Sequence, residues 1–159
     1  MDYISTLAYS INNPIVHTIS LLIDNYVFYG LAILTLLFVS QKEDSDRIKL
    51  AACLLLTILI VSFVKNSFGI ERPCFGMQNC PSWYSFPSLH AAFAFCIMAA
   101  TMNKKEYWIY FIFAVVVAFS RMNLGVHTFA DIAGAIPISF IAYYSVDFAY
   151  RQSRGGKSG

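Results

Sequence analysis

The chain has 159 residues, 58% hydrophobic and 13% charged, with a formal net charge of +2. Ordinary soluble domains carry roughly 25% charged residues, so this composition, with a mean hydropathy of +0.60, excludes a typical soluble protein and predicts an integral membrane one. So small a net charge gives no footing for a nucleic-acid partner.

No internal repeat and no Ser/Gly-rich linker divides the chain, which predicts one membrane-embedded domain over residues 1–150 and a disordered polar tail over 151–159. Residues 1–24 mix apolar positions with Asp2, Asn12, Asn13, Pro14, His17 and Asp24, too polar for a clean span. Leu7, Ile11, Ile15, Ile19 and Leu22 recur at spacings of three and four, which suits an interfacial helix with one apolar stripe, broken near Pro14. No basic residue precedes this stretch, so a cleaved signal peptide is not expected. His17 stands in no motif and reads as a surface or interfacial histidine.

Apolar runs over 26–40, 50–64, 87–102, 107–119 and 128–150 predict membrane spans, the first short unless it extends back to about residue 19. In lipid each run must satisfy its own backbone groups, which helices do. The expected fold class is therefore all-α, an integral membrane helical bundle of about five transmembrane helices plus an N-terminal interfacial helix. Gly30, Gly134 and the small residues Ala91, Ala92, Ala94, Ala133 and Ala135 let helices approach closely, as ordinary membrane packing requires. Tyr107 and Trp108 fall at a span end, where an aromatic belt belongs.

Five alternating spans put Lys42, Arg47, Lys49, Lys104, Lys105, Arg151, Arg154 and Lys157 on one side, cytoplasmic by the positive-inside rule. Lys65, Arg72 and Arg121 fall together on the other side. Any one of them alone is unremarkable, since a snorkelling lysine needs no partner. Three cations gathered at one end of a bundle imply an anionic ligand.

His127 and Asp131, four residues apart, share one face if the segment is helical, so the carboxylate can hold the imidazole, fix its tautomer and stabilise its cation. A buried His-Asp pair that only joins two helices is the plainer alternative for this segment alone. Arg121 offers a forked donor suited to phosphate oxygens. Lys65 and Arg72 are close to two helical turns apart, so a continuing helix puts both on one side until Pro73 ends it. Ser88 is a good cap for the next helix, whose first amides suit phosphate and whose first turn carries His90.

Residues 65–73 read KxxxxxxRP, 87–90 read PSxH and 120–131 read SRxxxxxHxxxD. In this order the three motifs resemble the type 2 phosphatidic acid phosphatase family, which is built on a helical bundle and shares its phosphate site with soluble acid phosphatases and vanadium haloperoxidases. The resemblance covers 65–131 directly and the flanking spans in general character. One departure is Leu89, where the family usually has Gly. A backbone amide survives that change, but a role needing positive φ or no side chain does not.

The resemblance implies that His127, held by Asp131, attacks phosphorus to form a phosphohistidine while His90 protonates the leaving lipid oxygen, and that water then releases phosphate with His90 as base. It assigns Lys65, Arg72, Ser88, the Leu89 amide and Arg121 to the phosphoryl oxygens, with Ser120 helping to position the network. The scheme needs no cofactor and no metal, and no cluster of residues has metal-ligand spacing. The expected partners are a lipid phosphate substrate and membrane lipids, with the site at the external face of the cell membrane. Polyprenyl diphosphate and phosphatidylglycerol phosphate come first, ahead of phosphatidic acid and lipid A, because so small a chain carries no extra domain for a larger headgroup. A non-catalytic lipid-binding or lipid-moving protein is the rival, which the intact His127, His90 and Asp131 oppose. Vanadate-dependent peroxidase chemistry fits poorly with so hydrophobic a chain.

Cys53 and Cys96 lie within spans and read as small packing residues. Cys74 and Cys80 share the loop after Arg72, where five intervening residues permit a disulfide and equally two free thiols.

Overall fold

The computed structural model of the protein describes residues 1–78 and 80–155, and among these it is all-helical, with seven helices and no strand. Each N-terminal helix begins on a polar cap that takes up orphan amides. Asp2 accepts from Ser5 N at 2.9 Å to start α1 (Tyr3–Ser10), and Asn13 accepts from Ile15 N at 2.9 Å to start α2 (Pro14–Asp24). The expected break near Pro14 divides the N-terminal segment into two helices, because Pro14 fits the first helical position, where its missing N–H costs nothing. Asn25 closes α2 and opens α3 (Tyr26–Ser40), accepting from Val27 N and Phe28 N at 3.0 Å. The chain bends by 79° between the two helices.

Four further helices form the body: α4 (Asp44–Phe68), α5 (Leu89–Thr101), α6 (Tyr107–Asn123) and α7 (Phe129–Gly155). Helix α7 runs five residues past Tyr150, where the sequence ended the domain, and residues 156–159 of the expected tail, Lys157 included, lie outside the described residues. The protein is a membrane protein by the length and apolar character of its helices. Helices α4 and α7, with 25 and 27 residues, are about 37 and 40 Å long, enough to cross a hydrocarbon core of roughly 30 Å. Helices α2 and α3 make a third crossing if the bent pair is one span. Helices α5 and α6, with 13 and 17 residues, are apolar but shorter.

Helix α5 is the centre, packed against α3, α4, α6 and α7. Its Ala91, Ala92, Ala94 and Cys96 are fully enclosed, and these small side chains let four neighbours approach one short helix. Helices α1 and α2 dock on α6 rather than lying free. Charge is segregated to the two ends of the bundle. At one end Lys49 and Arg151 pair with Asp147 at 3.5 and 2.8 Å, and Lys104 donates to Ser40 O at 2.6 Å. Lys65, Arg72 and Arg121 stand at the other.

Candidate active site

At that second end, Gly69 adopts a left-handed conformation (φ 61°) and returns its N–H to Lys65 O at 2.9 Å, which terminates α4. The helix therefore stops four residues short of Arg72, and the expectation that one continuous helix aligns Lys65 with Arg72 is corrected. The two side chains meet all the same. Lys65 is buried, donating from Nζ to Tyr84 O and, at 2.8 Å, to Ser85 O. Arg72 comes in from the loop, where Cys74 and Cys80 form a disulfide. Its Nε donates to Trp83 O at 2.7 Å, and its Nη1 to Val126 O at 3.0 Å.

The loop between α6 and α7 folds over the end of α6, with the amides of Val126 and His127 both donating to Arg121 O at 3.3 Å. Thr128 and Asp131 then cap α7 reciprocally: Thr128 N donates to Asp131 Oδ2 at 2.7 Å and Asp131 N to Thr128 Oγ1 at 3.3 Å. The cap brings the carboxylate to 3.2 Å from His127 Nδ1. On the other side of the ring, Arg72 Nη1 lies 3.0 Å from Nε2. A guanidinium only donates, so this contact requires a lone pair on Nε2 and leaves the ring proton on Nδ1, facing Asp131. Burial holds the His127 imidazole below its ordinary pKa, with the Arg72 and Arg121 cations acting in the same direction and Asp131 opposing them. A neutral ring with an available Nε2 lone pair is what a nitrogen nucleophile requires.

Ser85 was not singled out from the sequence, yet its buried hydroxyl donates to Asp131 Oδ2 and stands 3.4 Å from His127 Nδ1. Ser88 is fully buried, accepts from Ala91 N at 3.5 Å to cap α5 and donates its own N–H to Asp131 O at 3.1 Å. It fastens the start of α5 to that of α7. Leu89 is the first residue of α5, so its backbone is helical and the position needs no positive φ. His90 follows, with Nε2 buried and without a hydrogen-bond partner and its ring 4.5 Å from that of Tyr29.

One cavity of about 350 Å³ gathers Lys65, Arg72, His90, Arg121 and His127, with Leu89 and Trp83 in its wall. Arg121 is 2% exposed, with Nη1 2.8 Å from Asp24 Oδ1. Ser88 and Ser120 do not line the cavity: the Ser120 hydroxyl turns back to Val117 O at 2.7 Å, as a serine within a helix commonly does. Among the described residues, no group of three or more His, Cys, Asp or Glu side chains is placed to hold a metal ion. The arrangement lines one space with three cations, the His127 imidazole and the His90 imidazole.

A sequence profile of the PAP2 superfamily matches residues 47–154, from the first turn of α4 to the end of α7. The chain belongs to the PAP2 superfamily. Two solved structures are similar over nearly its whole length. LpxE of Aquifex aeolicus superposes with a TM-score of 0.70 at 21% identity, covering 91% of this chain and 93% of that one. The first transmembrane PAP2-type phosphatidylglycerolphosphate phosphatase from Bacillus subtilis gives 0.71 at 24%, covering 94% and 83%. At these identities the likeness is one of fold. No curated protein matches the chain. The PAP2 profile leaves out residues 1–46, and with them α1, α2, α3 and Asp24, the partner of Arg121.

Proposed function

We propose that this PAP2 protein is a membrane lipid phosphatase that removes a terminal phosphate from a lipid phosphate or diphosphate, with polyprenyl diphosphate and phosphatidylglycerol phosphate the favoured substrates. The observation that carries this reading is the orientation of His127, whose Nε2 lone pair is held by Arg72 at 3.0 Å at the edge of a cavity walled by three cations. His127 Nε2 attacks phosphorus as the bond to the lipid oxygen breaks, and His90 gives that oxygen its proton. Water then attacks the phosphohistidine, losing a proton to His90 as the P–N bond breaks. Lys65, Arg72 and Arg121 take the charge that builds on the phosphoryl oxygens. A lipid substrate is supported by an apolar groove of about 340 Å³ between α3, α4 and α5 that shares Tyr26, Leu89 and His90 with the polar cavity.

On this proposal the chain forms one domain with five spans: the bent α2–α3 pair, α4, α5, α6 and α7. Its site faces outward from the cell membrane, which the gathering of Lys49, Lys104 and Arg151 at the other end supports. The test is phosphate release by the detergent-purified protein from a panel of the four lipids, with peptide mapping of the trapped phosphoenzyme. Release from at least one lipid with label on His127 is expected. A lipid bound but never hydrolysed, or label on His90, overturns the proposal.

A further inference from the structure

Arg121 faces the cavity with its donors only partly committed. Its Nη1 forms an ion pair with Asp24 Oδ1 at 2.8 Å without hydrogen-bond geometry, and neither Nη1 nor the buried Nε has a hydrogen-bond partner. The carboxylate comes from the end of α2, and its position is fixed from several directions. Asn25 caps α3 immediately after it, at the 79° bend. One turn earlier Ser20 donates to Asn123 Oδ1 at 3.1 Å, and Asn123 Nδ2 donates to Ala8 O and Ile11 O at 3.0 and 3.1 Å. Asn123 is two residues beyond Arg121 on α6, so α2 is keyed to the same turn that carries the cation. At the other end of the loop, Phe129 N donates to Ser5 Oγ at 2.7 Å and to Asp2 Oδ2 at 3.3 Å. Helices α1 and α2 thus hold both ends of the loop that carries His127.

We infer that Asp24 is a positioning residue for the proposed phosphoryl transfer, holding Arg121 by one nitrogen so that its remaining donors face the phosphoryl oxygens. This rests on the phosphatase reading of the same cavity. The side chain of Asp24 is 39% exposed against 2% for Arg121, so the pair is a buried cation held from the rim by a half-hydrated carboxylate. That placement suits orientation: a guanidinium in the wall of a pocket has several rotamers open to it, and a charged acceptor behind it selects one. Asp24 is not in the cavity wall, so it acts through the cations around it, on Arg121 by direct contact and on Arg72 by charge alone.

A double-mutant cycle tests this, read as kcat on a polyprenyl diphosphate in detergent micelles and on an aryl phosphate. Asp24→Asn should lower kcat about tenfold in the native background and far less when Arg121 is Ala, the non-additivity expected of two residues acting largely as a unit. Asp24→Glu, which keeps the charge, should recover most of the loss. Thr18→Ala, on the exposed face of the same helix, should leave kcat unchanged. The inference is overturned if Asp24→Asn retains native kcat, if the loss is equal in both backgrounds, or if Thr18→Ala is as damaging. It is also overturned if Asp24→Asn fails to fold where Asp24→Glu folds, which would assign the residue to stability. Near-native turnover by Arg121→Ala would instead refute the phosphatase reading of the cavity.

Discussion

Replacing Ser85 with Ala isolates the support behind the proposed nucleophile. Ser85 is 1% exposed and gives its only proton to Asp131 Oδ2, the oxygen that also faces His127 Nδ1 at 3.2 Å. Asp131 keeps Thr128 N at 2.7 Å after the change, so the carboxylate is not left unsatisfied and folding should be little affected. What is lost is one hydrogen bond to a charged group, worth about 2 kcal/mol, on the residue that must stabilise the ring as it gains positive character in the phosphohistidine. If that energy is expressed in the transition state, kcat falls roughly 30-fold. KM should be unchanged, because Ser85 does not line the cavity. The assay is steady-state phosphate release by the detergent-purified variant, with a thermal melt as the folding control. A native kcat, or a loss confined to KM, would refute the claim that Ser85 acts through the His127–Asp131 pair.

Arg72→Lys should lower kcat/KM by about two orders of magnitude, because one ammonium cannot replace a fork that reaches Trp83 O, Val126 O and His127 Nε2 together; wild-type kinetics would show that charge alone suffices. Gly134→Ala should destabilise the protein by about 1–3 kcal/mol, since the added methyl would enter the space of the Phe86 ring. Phe86 adjoins Ser85, so turnover should fall with the melting temperature; an unchanged melt would show that the ring moves aside freely. In intact cells a single cysteine probe at Gln78 should be labelled from outside and one at Ser45 should not, and the reverse pattern would invert the proposed orientation.

The fold class was legible because apolar runs in lipid have only helical solutions, and Lys65, Arg72, His90, Arg121 and His127 were legible because their spacing ties them to one end of a bundle. The span count was not so open. Helix α5 has 13 residues, and hydropathy alone does not separate a short crossing from an enclosed helix. The path to Arg72 was misread because Gly69 closes α4 before Pro73 can, and a glycine within an otherwise helical run does not announce a left-handed residue. Ser85 and Asp24 were invisible for a different reason. They reach their partners across 46 and 97 residues of chain, respectively, and no periodicity links positions brought together only by tertiary packing. Ser120 shows the converse: a motif position whose hydroxyl bonds to its own helix.

The contact between Arg72 and His127 gives the proposed reaction its order of events. Nη1 donates to a neutral ring nitrogen at 3.0 Å while Val126 O and Trp83 O hold other donations of the same guanidinium. A phosphoryl oxygen is a charged acceptor and binds a guanidinium more strongly than a neutral imidazole does. In the proposed reaction, arrival of the phosphate would draw that donation from Nε2 to oxygen and free the lone pair next to phosphorus. Asp131 meanwhile keeps the proton on Nδ1, since it is fixed by the cap of α7 as well as by Ser85. On the proposed mechanism the nucleophile would thus be masked by the cation that binds its target and exposed only when that target is in place.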